Sequence, residues 1–222
     1  MGNKMEVNVF KRTETSDKLI SGSVYNLVIG LTLIWGFAVN WLMVVNIPVE
    51  AINSINPFVF FIGYFAACYF GIYLFSKSSS PLVSFIGYNF VVVPFGLIIN
   101  LVVSDYAPDM VLEAIRVTGM VTFVMMLLGS MYPAFFHKIA GGLSIALICV
   151  IIIELIEIFV FNTHHSILDW IVVVIFCGYI GYDWARAIAI PKTVDNAIDS
   201  AAALYMDIIN LFLRILRILG RK

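Results

Sequence analysis

Charge is scarce in this sequence: Lys, Arg, Asp and Glu contribute only 12% of its 222 residues. Soluble domains carry about 25% charged residues and about 45–50% apolar ones, whereas 62% of this chain is hydrophobic. A soluble fold cannot bury that much apolar surface, so the composition excludes a soluble globular protein. The net charge of −1 also excludes the basic surface that nucleic acid requires. We therefore expect an integral membrane protein.

Paired cysteines and catalytic motifs are also missing. Cys68, Cys149 and Cys177 each lie inside an apolar run, without the spacing of a metal site or a disulfide framework. The sequence contains no phosphate-binding loop, nucleophile elbow or zinc signature. These absences predict a protein that is not an enzyme and that uses no cofactor.

What the sequence has in abundance is long apolar runs. Each is close to the ~20 residues that a helix needs to cross a bilayer, and lipid leaves few alternatives to helices. The seven runs are Ile20–Val45, Phe58–Ser76, Leu82–Ser104, Met110–Met131, Ile139–Phe161, Ile167–Ile190 and Ala197–Leu219. We predict an all-α, polytopic protein with a tail at residues 1–18 and a transmembrane bundle at residues 19–222.

Basic residues alternate along the connections between these runs. They precede the first run and occur at the second, fourth and sixth junctions, but not at the first, third and fifth. They are Lys4, Lys11, Arg12, Lys18, Lys77, Lys138, Arg186 and Lys192. The positive-inside rule then predicts a cytoplasmic N-terminus and six crossings. The short connections favour a prokaryotic plasma membrane.

The seventh run departs from this alternation. Its closing residues Arg214, Arg217, Arg221 and Lys222 would face outward if the run crosses fully. Two interpretations remain: a full seventh span whose arginines line the interior and reach outward, or a partly re-entrant helix that returns its basic end to the cytoplasm.

Ionisable groups inside spans are costly and mark functional sites. Asp183 and Asp207 each lie 12 residues from Asp195, which sits in the turn between the last two runs. In antiparallel helices both carboxyl groups would reach the same depth, about 12 Å from the helix ends at ~1.5 Å per residue. Two carboxyl groups at one level in a low dielectric should share one proton and form a proton-sensitive latch. Alternatively, each only hydrogen-bonds a neighbouring helix or pairs with Arg186.

Other polar residues extend this candidate site. Asn210 lies on the same face of the seventh run as Asp207 and Arg214, which predicts a polar stripe that faces a partner or water.

Two further pairs of ionisable residues lie in the fourth and fifth runs. Glu113 and Arg116 are three residues apart, a spacing that favours a local ion pair. Glu154 and Glu157 lie towards the outer end of the fifth run, where we expect them to reach water.

The closing segment reads Leu204-Tyr205-Met206-Asp207-Ile208-Ile209-Asn210-Leu211-Phe212-Leu213-Arg214-Ile215-Leu216-Arg217-Ile218-Leu219-Gly220. This segment resembles the closing signature of the Bax inhibitor-1 family, also called the transmembrane Bax inhibitor motif family. Tyr182-Asp183 is similar to the first aspartate of that family, and Glu113-Ala114 with Thr118 is similar to a shorter element in its fourth span.

The resemblance implies a seven-helix bundle with a central seventh helix and a proton-dependent calcium leak. Asp183 and Asp207 would gate the leak and contact Ca²⁺, with Asn210 beside them. In some relatives a basic residue after the second span contacts the aspartates, and here that position offers only Lys77. The other candidate basic partners in this chain are Arg116, Arg186 and Arg214.

Three functions compete. The first is a pH-sensitive calcium leak channel, because carboxylate oxygens suit Ca²⁺ and a shared proton couples conduction to pH. Its partners would be the lipid bilayer, calcium ions and protons. The second is a scaffold that binds other membrane proteins without transport. The third is an intramembrane aspartyl protease, which also needs two embedded aspartates, although Asp207 does not follow the Gly-x-Gly that such proteases carry.

Overall fold

The computed structural model describes residues 18–161 and 166–221, without the side chains of residues 158 and 159. Over these residues the secondary structure is helical and contains no strand, which confirms the all-α prediction. The helices are α1 Gly22–Asn46, α2 Val49–Asn53, α3 Pro57–Lys77, α4 Pro81–Val103, α5 Pro108–Met131, α6 Pro133–Ile156, α7 Ser166–Ala189 and α8 Val194–Leu219. The predicted tail at residues 1–18 lies, except for Lys18, outside the described residues.

Six of these helices are long and apolar enough to cross a membrane: α1, α3, α4, α5, α6 and α7. The chain is a multi-pass integral membrane protein. The polar stripe of α8 keeps it out of this set, although its 26 residues extend about 39 Å at the helical rise, enough for the hydrocarbon core.

Four helices begin at a proline: Pro57, Pro81, Pro108 and Pro133. Proline suits the first helical position because its missing N–H would have no partner there and its φ is already helical. The helices α3, α4 and α5 therefore start one or two residues before the predicted runs. The start of α6 was predicted at Ile139 and is six residues earlier, because the polar residues that precede Ile139 end the apolar run without ending the helix.

The chain forms two compact units, Met1–Asp105 with Ala189–Tyr205 and Tyr106–Ile188 with Met206–Lys222. In the first unit α3 and α4 approach closely at Gly71 and Gly87. A Cβ atom added at Gly71 would lie 2.5 Å from the carbonyl oxygen of Gly87. Glycine at this crossing lets the two backbones come into contact, as is common between transmembrane helices.

A polar network holds the first half of α8 within this unit. The Tyr205 hydroxyl donates to Asn40 Oδ1 at 2.6 Å, and Asn40 Nδ2 donates to the Val92 carbonyl oxygen at 3.1 Å. Near the start of α8, the Ser84 hydroxyl donates to Asp195 Oδ1 at 2.6 Å. These buried groups are mutually satisfied, so α8 is fixed against α1 and α4 at two levels.

In the second unit α7 is tied to both α5 and α6. Trp184 Nε1 donates to Ser130 Oγ at 2.7 Å, and the Tyr179 hydroxyl donates to Ser144 Oγ at 3.1 Å. A Cβ atom at Gly129 would lie 2.5 Å from the Gly181 carbonyl oxygen. This close packing sets the position of the α7 turn that carries Asp183.

Helix α8 is buried around its whole circumference. Every residue of Val194–Leu219 is buried or half-buried. This burial explains how a helix with so many polar groups is accommodated in a membrane protein.

Candidate functional site

Asp183 and Asp207 face each other in the second unit. Their carboxyl groups are hydrogen-bonded to one another. Asp207 is 7% exposed, and Asp183 is half-buried. An ionised carboxylate can only accept, so a hydrogen bond between two carboxyl groups requires that one of them keeps a proton. The sequence predicted that Asp183 and Asp207 form a pair because they are equally far from Asp195 in the chain. The structure brings these two residues together. Their role in gating stays a prediction.

Arg186 is the basic residue that acts on this pair. Its positive charge interacts with Asp183 three residues before it, and its side chain is buried, with the guanidinium Cζ 5.4 Å from the centre of the Tyr182 ring. Arginine stacks readily on aromatic faces and keeps its charge when buried. Of the three predicted basic partners, Arg186 is therefore the one that the structure brings to the aspartates.

Arg116, another predicted partner, is engaged elsewhere. Arg116 Nη1 lies 3.6 Å from Glu113 Oε2, and the two side chains are 63% and 53% exposed. This is the local ion pair expected from their spacing. Lys77 is exposed at the end of α3.

The structure shows no hydrogen bond from the amide N–H groups of Asn210 to Asp183 or Asp207. Its Nδ2 donates to the carbonyl oxygen of Met206 at 2.8 Å, within α8 itself. The side chain is half-buried. Its predicted place on an ion pathway stays a prediction.

A second charged cluster gathers at the far end of α8, which we call the Asp169 cluster. It consists of Glu154, Asp169, Arg214, Arg217 and Arg221. Arg214 binds both oxygens of Glu154 in a fork, with Nη2 donating to Oε2 at 2.9 Å, and also donates to Asp169 Oδ1 at 2.9 Å. Arg217 Nη1 and Arg221 Nη2 lie 3.3 Å and 2.6 Å from the fully buried Asp169 carboxylate.

This cluster corrects two expectations about single residues. Glu154 was expected to reach water, but its side chain is only 16% exposed and holds Arg214, because α8 passes within reach of the end of α6. Arg214 was a possible partner of the aspartate pair, but its guanidinium is used by Glu154 and Asp169 instead.

The contacts of the Asp169 cluster decide between the two interpretations of the seventh run. Asp169 lies in the first turn of α7, the end farthest from the turn that leads into α8. Arg221 reaches it there, so α8 runs antiparallel along α7 to the opposite end and does not turn back. Two acidic side chains thus offset two of the three positive charges that these arginines place at the end of α8.

Asp169 was not predicted as a site residue from the sequence, although the sequence contains a signal for its contact with Arg221. Asp169 and Arg221 are each 26 residues from Asp195, the same symmetry that paired Asp183 with Asp207. The rule that equal spacing from the turn gives equal depth would have found this contact as well.

The aspartate pair could contact a cation only in part. Calcium takes about six to eight oxygen ligands, and two carboxyl groups supply at most four. Among the described residues no group of three or more His, Cys, Asp or Glu is arranged to hold a metal ion. Two carboxyl groups alone therefore supply fewer oxygen ligands than a calcium ion takes.

Comparisons with known proteins identify similar sequences. The family described as "Inhibitor of apoptosis-promoting Bax1" matches residues 19–222. Uncharacterized membrane proteins of Streptococcus pyogenes serotype M3 and serotype M6 are 29% identical over 134 residues, which is 57% of this chain and 58% of each relative. The chain therefore spans less than two thirds of the length of these curated relatives.

Proposed function

Because this chain belongs to the Bax inhibitor-1 family, we propose that it is a pH-sensitive cation leak channel in a prokaryotic plasma membrane, with Ca²⁺ as the transported ion. The observation that carries the proposal is the hydrogen-bonded carboxyl pair of Asp183 and Asp207 inside a membrane protein. Intramembrane ionisable groups of this kind are costly, and they characteristically line ion and proton pathways.

The pair offers a simple gate. With one proton between them, Asp183 and Asp207 attract each other and join α7 to α8. When that proton leaves, two like charges face each other in a low dielectric, where their repulsion is strong. The helices then separate, and two carboxylates are exposed to a cation. Arg186 moderates this repulsion because its positive charge offsets part of the charge on Asp183.

The test is calcium influx into liposomes that contain a calcium-sensitive dye, measured from pH 5 to pH 8. Wild type should pass Ca²⁺ at a rate that depends on pH, and Asp207→Asn should abolish that dependence. Asp109→Asn is the matched control, because Asp109 is exposed at the start of α5 and its loss should leave the pH profile unchanged.

Wild-type flux no greater than that of empty liposomes across this pH range would contradict the channel. The scaffold that binds other membrane proteins would then be the better account, with the aspartate pair stabilising the helices. Crosslinking that captures a partner equally well in wild type and in the variant lacking both carboxylates would support the scaffold.

The proposed function is not enzymatic. An intramembrane protease would need to admit water and a substrate peptide to both aspartates, whereas Asp207 lies within the continuous helix α8 and is buried. We further propose that the N-terminus is cytoplasmic, as the alternation of basic residues predicts.

A further inference from the structure

We propose that the Asp169 cluster binds the phosphate group of an anionic lipid, in the membrane leaflet that the end of α8 reaches. The lipid site is independent of the proposed channel, because it lies at the basic end of α8 and does not involve the aspartate pair. An anionic ligand there would explain why the basic residues of the seventh run depart from the alternation of the other connections.

The arginines of the cluster lie at the level of the lipid headgroups. Helix α8 begins at Val194, and Arg214 is 20 residues further along it. At ~1.5 Å per residue this separation is about 30 Å, the thickness of the hydrocarbon core. Arg217 and Arg221 continue beyond that point. Their guanidinium groups therefore reach the zone in which the phosphate groups of lipids lie.

The surface beside the cluster is suited to lipid chains. Ile167, Trp170 and Ile171 lie around Asp169 in the first two turns of α7, and all three are exposed apolar side chains. Phe161, which follows α6, is exposed as well. Tryptophan is enriched where a membrane meets water. A lipid that packs its acyl chains against this surface would have its headgroup beside the arginines.

The cluster contains more positive than negative charge. Three guanidinium groups meet two carboxylates in it. In the sequence, Glu157 and Lys222 add one further charge of each sign and leave the excess unchanged. Asp169 is fully buried and contacts all three arginines, so it holds them together from the buried side. An anion on their exposed side would offset the remaining positive charge.

The arginines are also accessible to a ligand. The side chains of Arg217 and Arg221 are 36% and 32% exposed, whereas that of Arg214 is 18% exposed. A guanidinium group is planar and presents five N–H donors, and its fork matches the oxygens of a phosphate group. Arg217 and Arg221 are therefore the residues that we expect to contact the phosphate, with Asp169 fixing their positions.

The test measures lipid retention by purified full-length protein. The protein is prepared in micelles with phosphatidylcholine and titrated with phosphatidylglycerol, and native mass spectrometry counts the lipids that stay bound. Wild type should retain phosphatidylglycerol in preference to phosphatidylcholine. Arg217→Gln and Arg221→Gln should each weaken the retention of phosphatidylglycerol about fivefold, the effect of one basic residue at an anionic membrane surface. Wild type that shows no preference between the two lipids would overturn the proposal.

Arg116→Gln is the matched control, because it removes an exposed arginine that pairs with Glu113 on α5. It should leave the preference for phosphatidylglycerol unchanged. Equal losses in Arg116→Gln and Arg217→Gln would overturn the proposal, since retention would then follow the net charge of the protein. Arg217→Lys keeps the charge without the fork and should retain the lipid less tightly than wild type but more tightly than Arg217→Gln.

The comparison of two lipids on the same variant cancels a change in overall stability. If Arg217→Gln does not fold, Arg221→Gln still decides the question, because Arg221 lies beyond the end of α8.

Inorganic phosphate distinguishes a lipid from a soluble ligand. At equal concentration it should not displace phosphatidylglycerol, because it has no acyl chains to pack beside Ile167 and Trp170. Displacement of the lipid by inorganic phosphate would overturn the assignment to a lipid. No ion flux enters these measurements, so a protein that passes no Ca²⁺ would refute the channel and leave the lipid site unaffected.

Discussion

Arg221 Nη2 lies 2.6 Å from Asp169 Oδ2, and this ion pair joins Arg221, two residues beyond the end of α8, to the first turn of α7. Asp169 is fully buried and also binds Arg214 and Arg217. One carboxylate thus contacts all three of these arginines, and Glu154 adds a second negative charge at Arg214. The end of α8 is therefore held by charge, whereas its first half is held by hydrogen bonds: Tyr205 donates to Asn40, and Asp195 accepts from Ser84.

Asp169→Asn should destabilise the protein because three guanidinium groups lose their common counterion. Breaking a fully buried pair costs about 3–5 kcal/mol, and we expect about 2 kcal/mol here because the arginine side chains are 18–36% exposed. Unfolding of the purified protein in mixed micelles measures the change. Glu113→Gln, which breaks the exposed pair with Arg116, should cost no more than about 0.5 kcal/mol, and equal losses in the two variants would contradict the special role of Asp169.

The two chain ends should lie on opposite sides of the membrane, because α8 runs to the opposite end of α7. In a variant whose Cys68, Cys149 and Cys177 are replaced by alanine, Lys222→Cys should react with a membrane-impermeant maleimide on intact cells. Lys4→Cys should react only after the membrane is permeabilised. Reaction of both positions from the same side would mean that the chain crosses an even number of times.

Asp183→Asn, Asp207→Asn and the double variant should share one pH profile of calcium flux. The two carboxyl groups titrate as one hydrogen-bonded unit, so removing either removes the shared proton, and the second substitution has nothing further to remove. Influx measured from pH 5 to pH 8 checks this. A double variant whose profile equals the sum of two distinct single effects would show that the aspartates act independently.

Gly129→Ala should destabilise the contact between α5 and α7. The added Cβ would lie 2.5 Å from the Gly181 carbonyl oxygen, and relieving such an overlap costs about 2 kcal/mol. Gly119→Ala on the same helix is the matched control, since no atom lies within 4 Å of its Cβ position. That change should stabilise the protein by about 0.5 kcal/mol through helix propensity, and thermal unfolding in detergent compares the two variants.

Much of the fold follows from the sequence because lipid restricts what apolar runs can do. Runs of about 20 apolar residues must form helices in a bilayer, and proline marks the first residue of α3, α4, α5 and α6 because it fits there without losing a hydrogen bond. The exceptions were local. The sequence predicted the start of α6 too late, at Ile139. Polar residues end an apolar run, whereas a helix can continue through them at its end.

The aspartate pair could also be predicted from the sequence, since two helices joined by a tight turn place residues at equal spacing from that turn at equal depth. Asp183, Asp195 and Asp207 satisfy this rule. Applied once more, the rule would have paired Asp169 with Arg221.

Only the tertiary structure decided which basic side chain pairs with which acidic side chain. Arg116, Arg186 and Arg214 are all within or beside spans, yet Arg186 faces Asp183 while Arg214 faces Glu154 and Asp169. Periodicity places a residue on a face of its helix, but the neighbour of that face depends on how the helices rotate as they pack. The partners of Glu154 and Tyr182 come from other helices, far away in the chain, and so they appear only once those helices are assembled.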